Sequence, residues 1–329
     1  MEKSALRGAT ARRLTRLVQL AAYVGLVFAL HPVPASAKHP VVATNGRIAF
    51  GQFSGDLWTI RPNGSDQQLL ASLPTSASFI SLVRAVSFSA DGSRLAVLYE
   101  QIGTNTPCTT GFAACWSIVL MGSDGNNQHF VYSSELIGSG ALALSPDGRT
   151  VAFTLLVGDT EPLFSIDFNG RHLRQLTTPG RFQVDLGPTW SPDGKSIAFQ
   201  SNRDCCADHE WGLYIVNAHN RHVRKVMSVG GNDLEPDWSP DGSKLVFIRT
   251  FAYPDYRIYS VDVDGTRETE ILRDYSTVEI PHWSPDGEKI VFLGGFGGLA
   301  GLFVVDADGA DATLLHSGES LGFDWRPNY

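Results

Sequence analysis

Along the chain, runs of three or four apolar residues alternate with short polar clusters rich in glycine, proline, serine and aspartate, and nothing resembles a long amphipathic helix. Ile48-Ala49-Phe50, Leu95-Ala96-Val97, Val151-Ala152-Phe153, Ile197-Ala198-Phe199, Leu245-Val246-Phe247 and Ile290-Val291-Phe292 are apolar at consecutive positions, as strands are when both faces of their sheet are covered. After a variable loop each is followed by a second run: Leu57 to Ile60, Trp116 to Val119, Leu163 to Ile166, Leu213 to Val216, Ile258 to Val261 and Leu302 to Val305. More polar strands come next, as in Leu173-Arg174-Gln175-Leu176 and Val223-Arg224-Lys225-Val226, where charge suits an exposed sheet edge.

The turns repeat with the strands. Ser145-Pro146-Asp147-Gly148 recurs as Ser191-Pro192-Asp193-Gly194, Ser239-Pro240-Asp241-Gly242 and Ser284-Pro285-Asp286-Gly287, with Ser89-Ala90-Asp91-Gly92 as a near copy and Asn45-Gly46 as a degenerate sixth. The glycines at 46, 92, 148, 194, 242 and 287 lie 45 to 56 residues apart, the length of one four-stranded propeller blade. A second turn closes each outer hairpin at Asn63-Gly64, Asp124-Gly125, Asn169-Gly170, Asp264-Gly265 and Asp308-Gly309, with Ala218-His219-Asn220 as the one departure. Trp190, Trp238, Trp283 and Trp325, with Phe88 and Leu144 in the equivalent places, precede the first turns and are sized to fill the wedge between blades. The chain begins at the second strand of its first blade and ends with Phe323 to Pro327, an inner strand with no blade after it. The expected fold is all-β: a six-bladed propeller of four-stranded antiparallel blades, closed by the C-terminal strand joining the N-terminal blade.

The order P-x-W-S-P-D-G, apolar strand, L-Y-x-V, D-G resembles the WD-like repeats of the TolB propeller family and covers essentially the whole chain after its leader. That family carries an α/β domain ahead of the propeller, for which there is no room between Lys38 and Arg47, so the resemblance is to the propeller without it. It implies a periplasmic or secreted propeller whose face and central channel receive a peptide or protein partner.

The N-terminus supports export. Lys3, Arg7, Arg12, Arg13 and Arg16 form a basic region, Leu17 to Leu30 an apolar one, and Ala35-Ser36-Ala37 a cleavage signal, so residues 1–37 are expected to be a signal peptide and 38–329 the propeller. The apolar run is short for a span of about 20 residues, and no stable membrane insertion is expected after cleavage. Losing five basic residues and Glu2 moves the formal net charge from −8 to −12. Such acidity disfavours nucleic acid and suits a basic peptide or a cation. A monomer without cofactor is expected.

Loops joining second to third strands, together with the blade-to-blade segments, should share one face and carry its individuality: Glu100 to Cys115, Ser201 to Gly212, Thr250 to Tyr256 and Gly294 to Ala300. Blade-to-blade segments deliver Asp185, Asp233, Glu235, Glu279, His282 and Asp324 toward the channel mouth, where they could focus negative potential on a ligand. The same carboxylates could instead cap turns or stay hydrated. Cys108 and Cys115 lie in one loop and are expected to form a disulfide in an oxidising compartment. Cys205-Cys206 leaves a vicinal disulfide and free thiols both open, and metal-type spacing is absent around it. Gly318 to Gly322 matches G-x-S-x-G without the strand-turn-helix context or the downstream residues of a hydrolase. Asp306 to Asp311 lacks the terminal glutamate of a calcium loop and suits a hairpin turn. The functional expectation is a non-catalytic binding propeller. The alternative is a metal-assisted hydrolase or lyase built on His282 and nearby carboxylates.

Overall fold

The computed structural model describes residues 44–52, 54–73, 79–103, 114–204, 211–227, 231–251, 255–318 and 321–328. They form six four-stranded antiparallel sheets. From the inside outward, the second blade runs Phe79–Phe88, Arg94–Gly103, Ala114–Gly122 and His129–Ser134, and the third Ile137–Leu144, Thr150–Leu155, Leu163–Asp167 and Arg174–Gln175. The fourth comprises Asp185–Trp190, Ser196–Ser201, Gly212–Asn217 and Val223–Met227, and the fifth Asn232–Trp238, Lys244–Thr250, Tyr256–Asp262 and Thr269–Tyr275. Thr277–Trp283, Lys289–Phe296, Leu299–Asp306 and Thr313–Ser317 make the sixth. The first blade is composite: its inner strand is Leu321–Asn328 from the end of the chain, followed by Thr44–Gly51, Asp56–Ile60 and Gln68–Ser72. Pairing of Ile48 with Trp325 and Phe50 with Phe323 closes the ring. No helix among the described residues is long and apolar enough to cross a membrane.

Apolar residues on both faces of each second strand have no solvated side to turn to, so the core is divided into six wedges, each between two successive blades. Phe50, Phe153, Phe199, Phe247 and Phe292, one in each of five blades, are fully buried, as is Val97 at the same place in the second. The sixth wedge joins Ile280, Val291 and Leu302 of the last blade to Ile48, Phe50, Phe323 and Trp325 of the first. The tryptophans also bind polar backbone across the wedges: the Trp190 and Trp238 indoles donate to the carbonyls of Ala143 and Thr189 in the preceding blades, both at 3.2 Å.

Both families of turns lie on one face. In each Ser-Pro-Asp-Gly turn, and in Ser89-Ala90-Asp91-Gly92, the serine hydroxyl donates to the aspartate, which also accepts the N–H of the residue after the glycine. The outer hairpins sit beside them, tied by bonds such as Val263 N–H to Ser243 O and Ala307 N–H to Glu288 O. Asp306 to Asp311 is one of these hairpins: Gly309 has φ +91°, and a Cβ there would lie 2.2 Å from the Ile271 carbonyl of the neighbouring blade. The departure at Ala218-His219-Asn220 is met differently, with the Arg174 guanidinium of the preceding blade donating to the His219 carbonyl at 2.6 Å.

Trp325→Ala is expected to cost about 3–5 kcal/mol in urea unfolding, as a large buried ring does. An effect no larger than that of Leu69→Ala, at a half-exposed position on an outer strand, would contradict the closing role of the last strand.

Candidate ligand-binding face and channel mouth

Each inner strand starts at the loop face and runs to its large apolar residue, a tryptophan in four blades and Phe88 or Leu144 in the other two, so the acidic residues are sorted by depth. Asp185 and Asp233 come first, opposite Ser201 and Arg249 on the next strand. Both are fully buried. Asp185 accepts a hydrogen bond from the Ser201 hydroxyl at 2.6 Å and pairs with Arg203 at 2.6 Å. Asp233 pairs with Arg249 at 2.6 Å, and the other arm of Arg249 reaches Glu268 at 2.7 Å. Each guanidinium lies over two rings, Arg203 on Phe199 and Tyr214 and Arg249 on Phe247 and Tyr259, at 4.9 to 5.3 Å.

One step deeper the inner strands bulge. Pro188, Pro236 and Pro281 have no N–H for the ladder, and the register skips from Leu186 to Thr189, Leu234 to Asp237 and Glu279 to His282. The residue before each proline has positive φ: Gly187 at 59°, Glu235 at 54° and Ile280 at 54°. For a β-branched isoleucine this costs on the order of 1–3 kcal/mol and persists only where neighbours hold it. The neighbours are visible: the Ile280 N–H donates to Glu235 Oε2 at 2.6 Å, and the Glu235 N–H donates to Gln200 Oε1 at 2.5 Å. Three successive blades are thereby linked. Burial pushes the Glu235 carboxyl up to about 8, helped by the charge of Glu279 and opposed by the Ile280 N–H. Burial likewise raises half-buried Glu279 to about 7.

Deepest are the residues just before the large rings. Asp324 accepts the Phe88 N–H of the next blade at 2.6 Å, Asp237 accepts the Trp283 N–H at 3.0 Å, and Ser87 accepts the Leu144 N–H at 2.9 Å. Asp237 also accepts a bond from Thr189 Oγ1 at 3.0 Å and lies 3.4 Å from His282 Nδ1. The His282 ring packs edge-on to Phe323, 5.1 Å between centroids. Burial, with the charge of Asp237 behind it, holds the Asp324 carboxyl well above the usual carboxylate range.

Of the six expected channel-mouth residues, then, only Glu279 is part-exposed; Asp185, Asp233, Glu235, His282 and Asp324 turn into the ring. The reason is that an inner strand has no further strand beside it, and its amides need acceptors that a preceding blade can supply. Asp237, Gln200, Arg203 and Arg249 belong to the same system and escaped the sequence reading. Counting the repeat register would have placed Arg249 opposite Asp233. Cys115 is disulfide-bonded, while Cys108, its expected partner, lies outside the described residues, as do Cys205, Cys206 and Ser320.

The loop face exposes much of the apolar surface among the described residues. Of the twelve large hydrophobic side chains that are exposed among the described residues, eight lie at this end: Ile80 on the second blade; Leu136, Leu156 and Val157 on the third; Phe182 before the fourth; Phe251 on the fifth; Phe296 and Leu299 on the sixth. Leu156 N–H bonds to Leu136 O at 2.7 Å and Phe182 N–H to Asp159 O at 3.1 Å, so the third-blade group runs on to Phe182.

Residues 205–320 match the TolB beta propeller domain family, and the rest of the ring repeats the same blade. Over that stretch the chain resembles the TolB propeller family. It is 32% identical over 113 residues to the Tol-Pal system protein TolB of Anaeromyxobacter dehalogenans, a stretch that is 34% of this chain and 24% of that protein. It thus spans about a quarter of the length of the curated relatives that it matches first. Among solved structures, TolB from Acinetobacter baumannii superposes with a TM-score of 0.67 at 19% identity, covering 85% of this chain and 66% of that one. An oligogalacturonate lyase in complex with manganese superposes at 0.55 and 16% identity, over 82% of this chain and 78% of that one. At those identities the likeness is one of fold.

Two outcomes are expected of this propeller. Glu235 keeps its proton to about pH 8 when folded, whereas an unfolded glutamate loses it near 4.3. Between those values the unfolded state binds fewer protons, so stability falls as pH rises. Thermal unfolding midpoints should therefore decline from pH 5 to 8.5, and Glu235→Gln should flatten the decline; an equal slope in both proteins would refute the assignment. Arg249→Ala strands the buried Asp233 carboxylate and should cost about 3–5 kcal/mol in urea unfolding, with Asp233→Asn added to it recovering part of the loss.

Proposed function

We propose that this chain is an exported, non-catalytic binding module, periplasmic or secreted and monomeric, which takes a protein or peptide ligand on its loop face and at the acidic channel mouth. The observation that carries the reading is the asymmetry of the two faces. One is built from repeats of the same hydrogen-bonded turns, and the other collects, among the described residues, most of the large exposed apolar side chains, with Glu279 on the inner strand of the sixth blade. Exposed apolar clusters rimmed by polar groups are typical of interaction sites. In this reading Glu279 faces the ligand, while Asp185, Asp233, Glu235, His282 and Asp324 hold the strands that frame it. The TolB relative named for the Tol-Pal system supports an envelope protein as the partner class.

The metal-assisted hydrolase or lyase finds less support. His282 is buried against Asp237 and Phe323, and among the described residues no group of three or more His, Cys, Asp or Glu could hold a metal ion.

Affinity capture from an envelope extract tests the proposal. A partner recovered by the wild-type chain should be lost when Leu136 and Phe182 are replaced by serine, and kept when Lys195 on the turn face is replaced by alanine. Loss with the turn-face variant and retention with the loop-face variant would reverse the assignment of faces.

A further inference from the structure

The adjoining tips of the fifth and sixth blades differ from the rest of the loop face. Lys289–Phe296 and Leu299–Asp306 pair as far as Phe296 opposite Leu299, and the two residues between, Gly297 and Gly298, have φ of +59° and +83°. That is the backbone of a tight two-residue hairpin, which only glycine-like residues adopt without strain. A side chain built on either glycine would meet nothing within 4 Å, so the tip stands clear of the ring. Its flanking pair is nevertheless apolar, Phe296 at 53% and Leu299 at 56% exposure. Phe296 is already oriented, with its ring 5.0 Å from that of Tyr275 on the fifth blade. An anchor held in place before binding loses less entropy on contact. Phe251, half-exposed on the fifth-blade tip, lies 5.0 Å beneath the Arg257 guanidinium.

The charges at this corner are unevenly matched. Arg257 pairs with Asp255 and Glu270, and Arg273 with Glu270, so the cations are already satisfied by local carboxylates. Glu279 lies on the inner strand beside that hairpin, opposite Leu293 and two pairs below Thr277 and Gly295, next to Glu235. Among the described residues, no lysine or arginine acts on either glutamate. Glu279 is thus left without a cation while Arg257 and Arg273 are paired elsewhere, and apolar surface is what the corner offers.

Building on the reading of the loop face as the binding face, we infer that this corner docks a basic amphipathic segment of a partner protein. Its apolar side chains pack on Phe251, Phe296 and Leu299, and a lysine or arginine points inward to Glu279. Tip and carboxylate thus act as two parts of one recognition unit: the hairpin excludes water and Glu279 selects charge.

The test is fluorescence anisotropy with the whole chain and a labelled peptide that alternates lysine with leucine and phenylalanine. Binding is expected, with two comparison peptides, one with glutamate for lysine and one with serine for the apolar residues, weaker by about tenfold or more, as loss of central anchors makes interfaces. Phe296→Ser with Leu299→Ser should weaken the first peptide by about tenfold, with only a small drop in the unfolding midpoint because both side chains are half-exposed. Glu279→Gln should weaken it by about threefold and reduce its salt dependence. Equal binding of the glutamate peptide, equal binding of the serine peptide, or indifference to the tip substitutions would each overturn the inference. So would a wild-type self-association that the tip substitutions abolish, since the occupant would then be a second copy. An envelope partner captured equally by wild type and tip variant overturns this inference while leaving the loop-face proposal standing.

Discussion

A sheet that is apolar on both faces cannot stand alone in water, and everything in this molecule follows from how its sheets cover one another. Each second strand buries residues on both sides, so each blade needs two neighbours, and only a ring gives every blade two. The wedge between last and first blades is the one on which closure turns. It exists because Trp325 and Phe323, from the end of the chain, pack with Ile48 and Phe50 from its start. Stability is therefore shared around a circuit, and a defect at one wedge leaves two apolar faces exposed rather than one.

Closure through side chains has a polar counterpart at the hub. Inner strands are edge strands turned toward a narrow axis, and their amides cannot all be left to water. The structure meets this with acceptors sent from the preceding blade: Asp324 to Phe88, Ser87 to Leu144, Asp237 to Trp283, Glu235 to Ile280. Carboxyls used this way are buried, and the raised values at Glu235 and Asp324 show that desolvation outweighs the hydrogen bonds they accept. A protonated carboxyl still offers its carbonyl oxygen to an amide, so the links survive without a buried charge.

The architecture was legible because turns speak for themselves: a serine, proline, aspartate and glycine in that order can be counted, and the counts locate strands, hairpins and tryptophans. The direction of the acidic side chains was not. Asp185 and Glu279 look alike in sequence, each near the start of an inner strand, yet one meets an arginine and is sealed while the other is part-exposed. The difference depends on cross-strand register and on whether the second strand runs out to an arginine, as at Arg203 and Arg249, or to glycines, as at Gly294 and Gly295. The bulges at Pro188, Pro236 and Pro281 compound this, because in each two residues oppose one, and the extra residue changes which side chains face the neighbouring blade.

The same contrast explains why the two ends of the ring can serve different purposes. At the turn face, each Ser-Pro-Asp-Gly loop satisfies its own polar groups, so its sequence is constrained and its surface repetitive. At the loop face the chain is held where it enters the ring, as by an acid and arginine seated on aromatic rings in the fourth and fifth blades. Beyond that seat a loop can vary without disturbing a wedge. The sixth blade uses this freedom most openly: with no arginine at the seat, its hairpin extends to a glycine pair and leaves Phe296, Leu299 and Glu279 available at one corner. A rigid hub with separately adjustable tips lets binding surface change while the fold that positions it does not.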